Sequence, residues 1–522
     1  MKVIKELHTI IRELTSRKDS AFSYLFKPDN LTTKLLERFV DGEIETDEDA
    51  IRELFGSTAG ERQSFRKTKS FLISRLISMC QFVNLQPPAH SLYLSNTYRA
   101  KREIIVAEFL QWFQLQDSYL FVVRRTIKTA KAYHLTDVLL RGYQILRNHH
   151  SKHGTHGECL KYAKLVAETS QILLAEIQSA NLRTTFQSES VNTLTVDSET
   201  VTSYTSSIEL LRDDVERYQT RTLRMNYCQV AGTMYRMLGK FEEAKSIYLQ
   251  YFEFLKNNPK FSYNAQIAMT LYWLVRCCSK SGELTKGHQY AEQANGLVKI
   301  GTFNWFTVQE AHLLLCLQSG SYKNAAMIFK TVVTQPQFRK QAIRAEKWGI
   351  YEAYLRLFNS EESLPLTCTV HGETYSSSHV LQELEEIRQD KRGFYIPILI
   401  FQVLHYLRIR AFDLLDSRIT ACKDYLHNHT SKDDLGRFVR TDSLLRMFMA
   451  MRASEYQVQK TNKRVESHLA KIAGFPQPDT PQSERVQIEE IIPYEKLWEW
   501  VMQELENIER EKLIVRPVYV TY

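Results

Sequence analysis

Four histidines and a cysteine fall within eleven residues: His149, His150, His153, His156 and Cys159. Two residues separate each neighbouring pair from His150 onward, a spacing at which imidazole and thiolate donors could converge on zinc. A structural zinc site usually combines ligands from two separated segments, and these lie on one glycine-containing stretch. The expected reading is therefore a polar loop between helices, with no metal and no other cofactor. The chain has no G-x-x-x-x-G-K-[ST], no G-x-G-x-x-G and no H-E-x-x-H. Gly56-x-Thr58-x-Gly60 resembles the turn that presents a nucleophilic hydroxyl, but no apolar strand precedes it. The carboxylates read as charges on helix faces. No catalytic residue is assigned, and the chain is read as not an enzyme.

A second group is basic. Residues 61–83 read as one helix carrying Arg62, Arg66, Lys67, Lys69 and Arg75. A short helix, a glycine turn and a basic helix outline a helix-turn-helix, in which the basic helix would meet nucleic acid. The alternative is a helical hairpin with a solvated basic face. The formal charge of +8 on 522 residues permits an acidic partner without demanding one.

These residues need helices to position them. Only 18 Gly and 12 Pro interrupt the chain, which favours helices over many short strands. No run of 18 apolar residues reads as a membrane span, no secretory signal is evident, and no C-x-x-C pair occurs among the 8 cysteines. A reducing cytoplasm with buried thiols is the expectation. Apolar spacing predicts helices over 2–15, 31–40, 47–55, 61–83, 97–114, 118–133, 135–148, 161–180 and 207–223. Thr46 is placed as the cap of 47–55. Residues 181–207 are rich in Ser and Thr and read as a loop or an irregular helix start.

From residue 225 to 338 one pattern occurs three times. Gly239-Lys240-Phe241, Gly282-Glu283-Leu284 and Gly320-Ser321-Tyr322 each join two apolar helical stretches. Glycine tolerates the left-handed conformation that ends a helix. A small residue follows three positions after each aromatic or leucine: Ala244, Gly287 and Ala325. That spacing keeps both on one face and lets the paired helix approach closely. The glycines are 43 and 38 residues apart, more than the roughly 34 of a standard unit.

The pattern resembles the tetratricopeptide (TPR) repeat family in a diverged form, of the kind seen in long bacterial repeat proteins. The family's first-helix tryptophan is absent from all three units. The resemblance implies an all-α superhelical array of helical hairpins. Its groove positions fall on Asn226, Gln229, Thr233 and Arg236, on Met269, Tyr272, Arg276 and Ser279, and on Thr307, Glu310, Leu314 and Leu317. Of these, Asn226, Gln229, Arg236, Tyr272 and Arg276 are the expected peptide-binding residues. Amides would pair a peptide backbone, the arginines a carboxylate, and Tyr272 an apolar side chain. The apolar third unit is expected to lie under another helix. The family's carboxylate clamp does not match, because Gln229 and Thr233 stand in its places.

After the repeats, helices are expected at 344–358, 380–387, 395–428 (a degenerate hairpin with Arg410-Ala411 in place of glycine), 432–454 and 462–473. A proline-rich linker at 475–481 and a capping helix at 494–511 follow, then an extended tail at 513–522. Four segments result: 1–90, 91–207, 208–430 and 431–522. The reading is a scaffold or adaptor holding a protein or peptide partner, with no membrane role. The alternative is a regulator or sensor touching nucleic acid through residues 61–83.

Overall fold

A computed structural model of the chain describes residues 3–7, 30–56, 58–80, 91–192, 198–338, 342–358, 368–370, 373–375, 395–429, 439–475 and 490–514. The expected helix at 380–387, most of the proline-rich linker and the tail beyond residue 514 lie outside these. Among the described residues the architecture is all-α apart from one antiparallel pair, β1 (Cys368–Val370) with β2 (Glu373–Tyr375). The chain forms two compact units, Met1–Ser170 and Gln171–Tyr522.

In the first unit, α1 (Leu31–Val40) begins where Asn30 accepts from the Thr32 amide. Thr46 and Asp49 cap each other's backbone at the start of α2 (Asp47–Ala50), as expected, and the helix continues as a wider turn over Ile51–Phe55. Thr58 and Glu61 repeat the reciprocal cap at α3 (Ala59–Cys80), Glu61 accepting from the Thr58 amide at 2.8 Å. The Thr58 hydroxyl is thus a helix cap rather than an exposed nucleophile. Leu35, Leu36, Ile44, Phe65, Leu72 and Leu76 form the core of this part. Next come α4 (Leu92–Trp112), α5 (Gln116–Tyr133) and α6 (Thr136–Lys152) around Ile104, Val123, Ile127 and Ile145.

A single 37-residue helix, α7 (His156–Asn192), follows. It runs past Ala180, where the sequence reading ended it. Leu182 and Phe186 in the Ser/Thr-rich stretch pack on the repeat core, and Thr184 returns its hydroxyl proton to the Ala180 carbonyl at 3.0 Å. Burial overrides the weak helix propensity of these residues. In α8 (Ser198–Tyr218), Thr205, Ser206 and Ser207 do the same one turn back. The expected continuous helix at 207–223 is broken: Gln219 takes φ +52°, and Thr220 caps α9.

The second unit is built on three helical hairpins. They are α9 (Arg221–Met237) with α10 (Phe241–Asn257), α11 (Asn264–Ser281) with α12 (Leu284–Leu297), and α13 (Phe303–Ser319) with α14 (Tyr322–Val333). Each helix packs on the next, and α11 also packs on α13. Gly239, Gly282 and Gly320 close the hairpins at φ +71°, +78° and +81°. Ala244, Gly287 and Ala325 are buried at the helix contacts. α15 (Ala342–Phe358) leads on to a fourth hairpin, α16 (Tyr395–Arg408) with α17 (Phe412–His429). Its turn residue Arg410 adopts φ +61° without being glycine. Bonds from its guanidinium to the Leu407 carbonyl (2.9 Å), Glu504 (2.8 Å) and Glu511 (3.0 Å) offset that strain.

The chain closes with α18 (Val439–Ala453), α19 (Val458–Gly474) and α20 (Tyr494–Ile514). On α20, Tyr494, Leu497, Trp498, Val501, Leu505 and Ile508 form one buried stripe. Arg440, buried on α18, donates to both oxygens of Glu490 (2.6 and 2.9 Å) and both of Glu495 (2.9 and 2.8 Å).

Two glycines separate backbone strain from steric crowding. A Cβ at Gly282 would meet nothing within 4 Å, so Gly282→Ala loses only the left-handed preference, about 1 kcal/mol. A Cβ at Gly232 would sit 2.5 Å from the buried Tyr248 ring, so Gly232→Ala is expected to cost more, about 1–3 kcal/mol. Chemical unfolding of the two variants measures the order; equal losses would contradict the close approach at Gly232.

Candidate functional site

The five expected groove residues do not line an open wall. Asn226 is 1% exposed and donates to the Ser179 hydroxyl on α7 at 2.8 Å. Gln229 is exposed and accepts from Arg183, also on α7, at 3.5 Å. Arg236 is 1% exposed: its guanidinium lies 3.8 Å over the Trp273 ring, and Nε donates to the Tyr248 hydroxyl at 3.2 Å. Tyr272 packs edge-on against Trp273, and both Tyr272 and Arg276 are buried. The chain's own helix α7 engages two of these positions, Asn226 and Gln229, through Ser179 and Arg183. Arg236 satisfies its charge on an aromatic face and a hydroxyl instead of a ligand carboxylate. The sequence could not show this, because Arg183 lies in the stretch read as loop and nothing local ties Ser179 to Asn226.

The third hairpin is covered from the other side, as its apolar groove positions suggested. Thr307, Leu314 and Leu317 are buried. The Gln318 side chain donates to the Glu490 carbonyl at 2.8 Å, and Lys496 of α20 donates to the Gln318 carbonyl at 2.9 Å. Glu310 pairs with Lys347 and accepts from the Tyr351 hydroxyl at 3.0 Å, both partners on α15.

On α3, Arg62, Arg66 and Lys67 are exposed. Lys69 is paired with Asp47 at 2.5 Å, and Arg75 lies 4.5 Å over the Phe71 ring. Two of the five basic residues thus have internal partners.

The histidine-rich stretch is drawn into the ends of two helices rather than forming one loop. His149 and His150 end α6, and His156 starts α7. Buried His149 shares a hydrogen bond with the Tyr119 hydroxyl at 2.7 Å. Its pKa is lowered by burial first, then by His153, His150 and Arg124. His150 bonds the Thr155 hydroxyl at 2.6 Å and stacks on Tyr162.

His149 also lies against His150 and His153, but among the described residues the group whose ligand atoms could hold a metal is elsewhere: His288 on α12, with His312 and Cys316 on α13. Burial, with His288 second, lowers the His312 pKa to about 4, and burial raises Cys316 to about 12. The available sequence signal was His312-x-x-x-Cys316, one helical turn apart on an apolar stretch.

A second feature was hidden by the apolar pattern of α4. Ala100, Ile104 and Ala107 face the core, while Ile105 (64%), Phe109 (53%), Trp112 (77%) and Phe113 (62%) are exposed. Phe121 on α5 is exposed as well, with Arg125 over its ring. The helix is apolar on two faces, and apolar spacing alone does not tell which of them is buried.

No family model matches the chain, and neither a curated protein nor a solved structure is similar to it. No described helix is long and apolar enough to cross a membrane.

The array also holds a carboxyl away from water. Glu352 on α15 is fully buried; desolvation raises it from 4.5 to about 7, opposed by Arg356 at 2.8 Å. The folded state therefore binds this proton more tightly than the unfolded chain, and stability falls as pH rises from about 4.5 through 7. Glu352→Gln removes the penalty. At pH 8 it should be more stable than the parent by an amount on the order of 1–3 kcal/mol, with the gap closing near pH 4. Chemical unfolding at both pH values measures it; a gap independent of pH would contradict this account.

Proposed function

We propose that the chain is a non-catalytic helical scaffold that holds a protein or peptide partner, with residues 208–430 forming a diverged TPR-type array. The observation that carries this reading is the exposed ridge of Ile105, Phe109, Trp112 and Phe113 on α4. Contiguous aromatic groups exposed on a surface cost free energy in water and are characteristic of recognition sites. Phe109 and Phe113 lie 4.8 Å apart, one turn from each other, so the ridge is preorganised. Aromatic anchors of this kind dominate many interfaces because they bury a large area at small entropic cost. Because the ridge is apolar, it suits a partner offering apolar side chains, such as an amphipathic helix.

The groove positions first expected to bind a peptide hold internal contacts, which moves the partner surface in this reading to the first unit. Nucleic-acid contact through residues 61–83 is the second reading. Exposed Arg62, Arg66 and Lys67 favour it.

The two readings separate in one experiment. A photoreactive side chain placed at Phe113 should crosslink a partner protein from native lysate, and nuclease should not abolish the crosslink. Phe109→Ser with Trp112→Ser should weaken capture by at least about tenfold while helicity stays unchanged. Capture unaffected by these substitutions, or abolished by nuclease and by Arg66→Glu with Lys67→Glu, would overturn the scaffold reading of this surface.

A further inference from the structure

His312 and Cys316 are four residues apart on α13 and so share a face. α12 packs against that helix and carries His288. One ligand atom from each of the three lies within 4.8 Å of the others. His288 Nδ1 and His312 Nε2 are 3.2 Å apart, with their rings inclined at 64°. Two metal–nitrogen bonds of about 2.0–2.1 Å at a tetrahedral angle would hold such donors roughly 3.3 Å apart. The two imidazole nitrogens thus already have the separation of donors in a four-coordinate site, and the Cys316 thiol lies within 4.8 Å of both.

The helix contact beside it is fixed. A Cβ at Gly287, next to His288, would come within 3.0 Å of Leu315 and 3.3 Å of Cys278, so α12 and α13 cannot come closer there. Cys316 is fully buried, whereas the two imidazoles are half-buried. The thiol therefore forms the floor of the cluster, and the imidazoles its solvent edge. His312 Nε2, the nitrogen that faces His288, is the one turned into the cluster.

We propose that His288, His312 and Cys316 bind one divalent ion of the zinc class, with three protein ligands and a fourth position toward solvent. Two imidazoles and a thiolate suit zinc and its neighbours rather than magnesium or calcium. Binding replaces the Cys316 S–H bond by a metal–sulfur bond and releases one proton to solvent. The ion ties the second hairpin to the third, so metal binding stabilises the array by mass action. The fourth position admits a water molecule or an external donor.

The test uses the full chain, stripped with chelator and titrated with zinc(II) alone, then cobalt(II) alone. The expected result is one equivalent of zinc with a higher thermal transition. Cobalt should give a four-coordinate visible spectrum with a thiolate-to-cobalt charge-transfer band. Cys316→Ser should remove that band, and His288→Gln should weaken zinc binding by on the order of 100-fold. His150→Ala with His153→Ala should leave the bound ion unchanged. No stoichiometric uptake would overturn the proposal. So would a six-coordinate cobalt spectrum without the charge-transfer band, or zinc binding that survives Cys316→Ser and His288→Gln but not the His150/His153 change. The cobalt spectrum of the unaltered chain decides the matter even if a variant fails to fold.

Discussion

Close approach between paired helices is the constraint on which this structure depends. Each hairpin must turn within two or three residues and then bring two backbones together. The left-handed glycines at 239, 282 and 320 do the first, and Ala244, Gly287 and Ala325 do the second. At Gly232 the approach is tight enough that the Tyr248 ring occupies the space of a side chain. The hydroxyl of that tyrosine accepts from Arg236 Nε, and the same guanidinium covers Trp273 of the next hairpin. At Gly287 the approach sets α12 against α13 and so places His288 beside His312 and Cys316. Turn chemistry thus reaches packing, and packing reaches the only group of potential metal ligands among the described residues.

A stack of hairpins leaves a surface at each end, and a helical array must cover it. The chain supplies its own covers. At one end, the later part of α7 lies on α9 through Ser179, Arg183 and Phe186. At the other, α20 joins the core of the third and fourth hairpins. The buried Arg440–Glu490 pair, with half-exposed Glu495 beside it, fixes where it enters. Buried ion clusters contribute less to stability than their short bonds suggest, because desolvation offsets the attraction. Their directional hydrogen bonds specify one arrangement. Here Glu490 offers its carboxylate to Arg440 and its carbonyl to Gln318, so one residue registers α20 against both α18 and α13.

Much of the fold was legible because its signals are local. The turn glycines, the Thr46 cap, the boundaries of α1 and the stripe on α20 all follow from spacing and residue type. The altered turn at Arg410 was legible as a position but not as a conformation, since the Glu504 and Glu511 partners lie about a hundred residues away. The Ser/Thr-rich stretch misled for the same reason. Its helicity rests on Leu182 and Phe186 finding a core that local propensity does not reveal. The candidate sites were less legible still. Of the groove positions carried over by repeat register, Asn226 and Gln229 meet α7 and Arg236 meets Trp273 and Tyr248, while His149 and His150 of the conspicuous histidine run are held by Tyr119, Thr155 and Tyr162. The histidines that do converge are 24 residues apart and lie on different helices. Their meeting is a consequence of the turn that joins α12 to α13 and of the close approach at Gly287, neither of which is chemistry that a motif records.

The central claim is that the array's expected groove is occupied by the chain's own helices, leaving the partner surface elsewhere. Amide hydrogen exchange of the full chain, resolved along the sequence, tests it most directly. The account predicts that residues 171–192 and 494–508 exchange as slowly as α9 and α13, because each belongs to the same cooperative core as the hairpin it covers. Fast exchange across 171–192 while α9 stays protected would contradict it. The covering helix would then be opening independently, and Asn226 and Gln229 would again be available to a partner.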